Sequence, residues 1–143
     1  MRVRAAQSSD ADALYELVCL SLKDAAPARD VFAASLERAL ADGTRVVAVA
    51  CAGDALVGFA DLYTVRPLCA AAPEGHVAQL YVREECRGKN AGTALLIFLS
   101  QRAKALGCGM LTLTASPVNL RVEPFLERNG FVRAMRWYTH PLH

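Results

Sequence analysis

Two apolar stretches, 76–82 and 110–115, flank one long helical stripe, and that arrangement constrains the fold more than any other feature of the chain. The stripe is Ala91, Leu95, Phe98, Leu99, Ala103 and Leu106, at mostly three- and four-residue intervals. Lys104 complements the dipole at the end of such a helix, and Gly107 stops it. A strand, a helix of this length and a second strand make a parallel crossover, which no tight hairpin can replace. Around it the chain reads as strand 3–7, then a helix capped by Ser9 with Asp12 as its capping-box partner. Leu14, Leu17 and Val18 give that helix its apolar face, and Pro27 ends it. Asp30 caps a second helix, which carries Phe32, Leu36, Ala39 and Leu40 on one face and ends near Gly43. Strands 45–51 and 56–66 form a hairpin about Gly53-Asp54. The Pro- and Ala-rich stretch 67–75 is a loop. A short helix over 122–129 and a last strand over 131–139 complete the order β-α-α-β-β-β-α-β-α-β. The expectation is one α/β domain over 1–143, a mixed sheet with helices on both faces.

Composition narrows the function. The chain has 143 residues, 54% of them hydrophobic, which is enough for a sizeable core. A net charge of +2 and the lack of any basic run give no reason to expect nucleic acid or membrane as a partner. No apolar run approaches the roughly 20 residues that span a bilayer. The start, Met1-Arg2-Val3-Arg4, leads into polar residues rather than an apolar signal core. Cys19, Cys51, Cys69, Cys86 and Cys108 form no CxxC pair, so no zinc site is expected. They read as reduced, mostly buried thiols of a cytoplasmic protein.

The chemistry is concentrated in Arg87-Gly88-Lys89-Asn90-Ala91-Gly92-Thr93, between a strand and the long helix. Small residues let main-chain N–H groups approach a ligand, and the helix adds its unpaired first-turn amides. Arg87 and Lys89 add positive charge. Together they suit a phosphate or pyrophosphate. A Walker loop is excluded because Arg83 stands where its first glycine belongs, and no GxGxxG occurs.

With Leu80-Tyr81-Val82 before it and Ala94-Leu95-Leu96 after it, this loop resembles the coenzyme-A loop of the GNAT superfamily of N-acetyltransferases. That pattern is Gln/Arg-x-x-Gly-x-Gly/Ala after a strand. A second segment, Asn119-Leu120-Arg121-Val122 followed by Phe125 and Gly130-Phe131, is similar to the NxxAxxFYxxxGF segment of the same family. The resemblance implies acetyl-coenzyme A as cosubstrate. Amides of Gly88, Asn90, Gly92 and Thr93 would hold its pyrophosphate, within the loop that Arg87, Lys89 and Ala91 complete. Main-chain groups around Leu80, Tyr81 and Val82 would pair with the pantetheine arm. Asn119 would bond the same arm and Phe125 would pack near it. It also implies a primary amine as acceptor, of a small molecule since the chain has no recognition appendage, and is compatible with a homodimer. Two departures stand out. Asn90 replaces the first glycine of the pattern, and asparagine is the residue next best able to take φ > 0. Leu126 replaces a tyrosine that often protonates the departing thiolate, leaving Tyr138 or water for that task. A protein that holds an acyl thioester without transferring it is therefore the alternative.

Acetyl transfer needs a base for the amine. His76 is the candidate: in histone-type members the corresponding position holds the base, and an imidazole titrates near neutral pH. Simple alternation puts His76 on one face with Ala78, Leu80 and Val82, and Gln79 and Tyr81 on the other. Asp61, on the long strand, would suit a cationic acceptor.

Overall fold

The structure is a computed structural model and describes residues 1–115 and 121–143. They form two compact units, Met1–Thr112 and Leu113–His143.

The first unit holds strands β1 (Arg2–Ala5), β2 (Arg45–Ala52), β3 (Ala55–Val65) and β4 (Glu74–Val82), with helices α1 (Ala11–Leu22), α2 (Arg29–Ala41) and α3 (Ala91–Ala105). Strand β5 (Met110–Leu113) has its last residue, Leu113, past the unit boundary. The sheet order is β1-β2-β3-β4-β5. The pairs β1–β2, β2–β3 and β3–β4 are antiparallel. The α3 crossover then brings β5 beside β4, and the sheet is mixed, as the spacing of the apolar stretches predicts.

Val47, Ala48, Val49 and Ala50 are buried without interruption, because helices cover both faces of β2. On one face Leu14, Leu17 and Val18 of α1 and Leu36 and Ala39 of α2 meet Val47, Val49, Cys51 and Phe59. On the other, α3 packs across β2, β3 and β4. Leu95 and Leu99 are fully buried there, each contributing about 1.5–3 kcal/mol. Gly58 makes this layer possible: a Cβ on it would lie 2.8 Å from the Tyr81 carbonyl oxygen and 3.4 Å from Leu95 Cδ1.

The start of α1 differs from the expectation. The capping box joins Gln7 and Asp10, not Ser9 and Asp12. Asp10 is fixed from β1: Arg4 donates to both its carboxylate oxygens at 2.8 and 2.9 Å, and the Gln7 N–H donates at 2.8 Å. Asp30 sits inside the first turn of α2, behind an Ala28 cap. Of the cysteines only Cys51 is buried; Cys69 is exposed, the other three lie between, and all five are free thiols.

The second unit contains α4 (Val122–Arg128), closed by Gly130 at φ +86° and by a bond from the Phe131 N–H to the Leu126 carbonyl of 2.9 Å. The strand expected over 131–139 is absent. Arg133 interrupts one face of its alternation and Arg136 the other, so neither face is cleanly apolar. Arg133 is instead drawn to Glu123 of α4. Among the described residues no helix is long and apolar enough to cross a membrane.

Candidate active site

The site begins where β4 leaves the sheet. The Arg83 N–H donates to the Val57 carbonyl of β3 at 2.8 Å, and its guanidinium reaches Glu16 of α1 at 3.0 Å, so the strand end is tied down. A 3-10 turn, Glu84–Cys86, leads to Arg87. Gly88 then takes φ +80° and Asn90 takes φ +66°, ψ +13°, as the N-cap of α3. The asparagine in place of glycine does adopt the left-handed conformation that the turn demands.

The first helical bond of α3 runs from the Ala94 N–H to the Asn90 carbonyl, 2.9 Å. Among the described residues, the amides of Gly88, Lys89, Asn90, Ala91, Gly92 and Thr93 have no protein acceptor, and no side chain caps the helix. Six donors and the positive end of a 15-residue helix thus face one exposed loop. Lys89 is exposed beside them. Arg87 leans back instead: its Nε donates to the Val82 carbonyl at 3.0 Å and its guanidinium lies 5.6 Å from the Tyr81 ring centroid.

The main chain of β4 also presents unused groups. Because the Arg83 N–H points to β3, the alternation of a strand turns Tyr81 to β3 and the main-chain groups of Leu80 and Val82 to the opposite side. On that side β5 runs beside the beginning of β4: Thr112 touches His76, about 13 Å short of Leu80 at the rise of a strand. Within the first unit, Leu80 and Val82 therefore face an edge with no strand beside it. One carbonyl of the pair, that of Val82, already accepts from Arg87 and keeps its second lone pair.

The side chains of β4 are arranged differently from the expectation. Asp61 pairs with Gln79 but Leu62 pairs with Val77, so Ala78 is an extra residue, a β-bulge. The bulge reverses the alternation. His76 pairs with Tyr63, Gln79 with Asp61 and Tyr81 with Phe59, and these six share one face. His76 thus lies with Gln79 and Tyr81, on the α1–α2 side, and not with Leu80 and Val82. Its Nδ1 is 2.8 Å from Thr112 Oγ1, a partner that no sequence signal marks. Asp61 is committed: Arg45 Nη2 donates to its Oδ1 at 2.8 Å, and the same guanidinium lies 3.6 Å over the Tyr63 ring. It does not offer an unpaired charge to a cationic acceptor.

Phe125 lies half-buried on α4 in the second unit, as does Leu126, and Tyr138 there is 82% exposed. Asn119 lies outside the described residues. Among the described residues no three His, Cys, Asp or Glu side chains gather as metal ligands would.

Comparison with known proteins adds the following. A family model described as the acetyltransferase (GNAT) family matches residues 11–131. No curated protein matches. Among solved structures, an acetyltransferase of Trypanosoma brucei is 26% identical, with a TM-score of 0.82 and 99% of each chain covered. A glucosamine-6-phosphate N-acetyltransferase from Arabidopsis thaliana has a TM-score of 0.85 at 18% identity, covering 99% of this chain and 98% of that one. An aminoglycoside N-acetyltransferase in complex with CoA has a TM-score of 0.89 at 19% identity, covering 98% and 93%. The likeness to these last two is one of fold.

Proposed function

Because this chain belongs to the acetyltransferase (GNAT) family, we propose that it transfers an acetyl group from acetyl-coenzyme A to the primary amine of a small molecule. The observation that carries this reading is the left-handed Asn90 cap with its open amides. Gly88, Asn90, Gly92 and Thr93 hold the pyrophosphate through main-chain N–H groups, with Lys89 adding charge. The outward main-chain groups of Leu80 and Val82 pair with the pantetheine arm as a further strand would. Bound in this way, the cosubstrate supplies an activated thioester.

The acceptor amine must lose a proton, and His76 is the base. Its ring, with Nδ1 2.8 Å from Thr112 Oγ1, takes that proton. Leu126 cannot return a proton to the leaving thiolate, so water does. The glucosamine-6-phosphate and aminoglycoside N-acetyltransferases among the structural neighbours support a small-molecule amine. Five free thiols suit a reducing, cytoplasmic compartment. Leu126 also favours a second reading, a domain that holds an acyl thioester without transferring it.

Calorimetric titration with acetyl-coenzyme A, desulfo-coenzyme A and ATP, followed by a thiol-release screen over small amines, separates the two. The expected result is saturable binding of acetyl-coenzyme A, weakened at least about tenfold in Gly92→Glu, which puts a carboxylate among the amides. Binding without thiol release from any amine favours the second reading. No binding overturns both.

A further inference from the structure

The α3 crossover delivers Thr112 of β5 to His76 of β4 in a fixed register. At the start of β5 the Gly109 N–H donates to the Pro73 carbonyl at 2.9 Å. Three residues further along each strand lie Thr112 and His76, with Thr112 Oγ1 2.8 Å from His76 Nδ1. Gly75 lets the strands close on the α3 side: a Cβ on it would lie 3.0 Å from Leu111 Cδ2 and 3.3 Å from Ala103 Cβ. Gly75 and Leu111 thus face α3, and the next residue of each strand faces the other way. His76 and Thr112 therefore meet on the α1–α2 side, both half-buried. Across the sheet, the residue that pairs with His76 from β3 is Tyr63, whose ring carries the Arg45 guanidinium at 3.6 Å.

We propose that Thr112 is a positioning residue, whose hydroxyl holds the His76 imidazole in the orientation in which it takes the amine proton; this role rests on the reading of His76 as the base. A base must keep its place in two states, neutral before it takes the proton and charged after. A neutral imidazole has one N–H and one bare nitrogen, and a charged one has two N–H groups. A hydroxyl both donates and accepts, so Thr112 can bond Nδ1 whether or not that nitrogen carries hydrogen. A carboxylate in its place would only accept, and its charge would favour the charged ring. Thr112 thus fixes the ring without fixing its charge. The branch at its Cβ restricts χ1, which keeps Oγ1 in place.

The test compares Thr112→Val, which keeps the branched shape and removes the hydroxyl, with Thr112→Ser, which keeps the hydroxyl. Each is made in the parental full chain and in His76→Ala. One measurement is steady-state kinetics with acetyl-coenzyme A and an amine found by thiol release. The other is the NMR spectrum of the His76 ring nitrogens, assigned by their loss in His76→Ala. Thr112→Val is expected to lower kcat about tenfold with both KM values within about twofold, and Thr112→Ser to restore most of that loss. Thr112→Val should move the His76 ring signals, and Thr112→Ser should leave them near their parental positions. In the His76→Ala chain, Thr112→Val should cost nothing more. Backbone amide signals of parental dispersion establish that the variants are folded. The proposal is overturned if Thr112→Val leaves the ring signals in place, if Thr112→Ser is as slow as Thr112→Val, or if Thr112→Val lowers kcat equally with and without His76. The ring signals need no acceptor amine, so the two readings fail separately. Full kcat in His76→Ala would remove the base and this role with it, whereas unmoved ring signals beside an inactive His76→Ala would remove Thr112 alone.

Discussion

The loop before α3 and the strand β4 contribute to the proposed site in opposite ways. The loop works through its main chain: six amides are left open because Gly88 and Asn90 take positive φ, and its side chains matter chiefly for permitting that shape. On β4 the side chains matter, and what decides their use is the face on which each one falls. That face is set by one extra residue, Ala78. A main-chain site tolerates any substitution that keeps the backbone path. A side-chain site fails with a single atom group or a single register step. Binding and turnover should therefore respond to different mutations.

The largest expected effect is on turnover. His76→Ala removes the proposed base and should lower kcat about 10²–10⁴-fold while leaving acetyl-coenzyme A affinity unchanged. Measuring kcat across pH beside calorimetric affinity checks both halves. Unchanged kcat at every pH would remove His76 from the chemistry. Deleting Ala78 comes next. With the bulge gone, either His76 or Tyr81 must change face, and the Phe59–Tyr81 contact or the Tyr63–His76 pairing is lost. The expected cost is at least about 3 kcal/mol of unfolding free energy, read from urea midpoints at constant slope. A deletion variant of parental stability would mean that the bulge does not set the face.

The same contrast decides what the sequence reveals. The crossover 76–115 and the loop are legible because small residues, an asparagine able to turn and a helical stripe are all local signals. The bulge has no such mark: Val77-Ala78-Gln79 contains neither Gly nor Pro, and the extra residue arises from pairing with β3. The Arg45 claim on Asp61 joins residues 16 apart in sequence, and the Thr112 contact with His76 joins residues 36 apart. The capping box shifted to Gln7 and Asp10 because Arg4 reaches in from β1. Over 131–139 the apolar residues suggested a strand, but an arginine on each face leaves no side fit for a core.

Asp10 combines both devices on one carboxylate, accepting from the main-chain N–H of Gln7 and from the Arg4 guanidinium. Arg4 foremost holds its carboxyl below the usual carboxylate range, against the burial that would raise it. A carboxyl depressed in the folded state binds fewer protons there than in the unfolded chain. Its stabilisation is therefore complete above the ordinary carboxylate range and disappears as pH falls through the folded value. Asp10→Asn should cost about 2 kcal/mol at neutral pH and flatten this part of the acid dependence, seen as Tm against pH. An unchanged acid limb would show that the Arg4 pair contributes nothing.

Asn90 is the smallest effect and the sharpest test of a main-chain site. A left-handed residue with a Cβ costs roughly 1–2 kcal/mol, and asparagine offsets part of this while valine cannot. Asn90→Gly should keep acetyl-coenzyme A affinity within about twofold, since no side chain is used and glycine takes positive φ freely. Asn90→Val should lose about 1 kcal/mol, appearing either as lower stability or as up to roughly tenfold weaker binding. Measuring both quantities on both variants closes the comparison. If glycine weakens binding more than valine does, the Asn90 side chain itself touches the ligand, and the loop belongs with β4 as a site built from side chains.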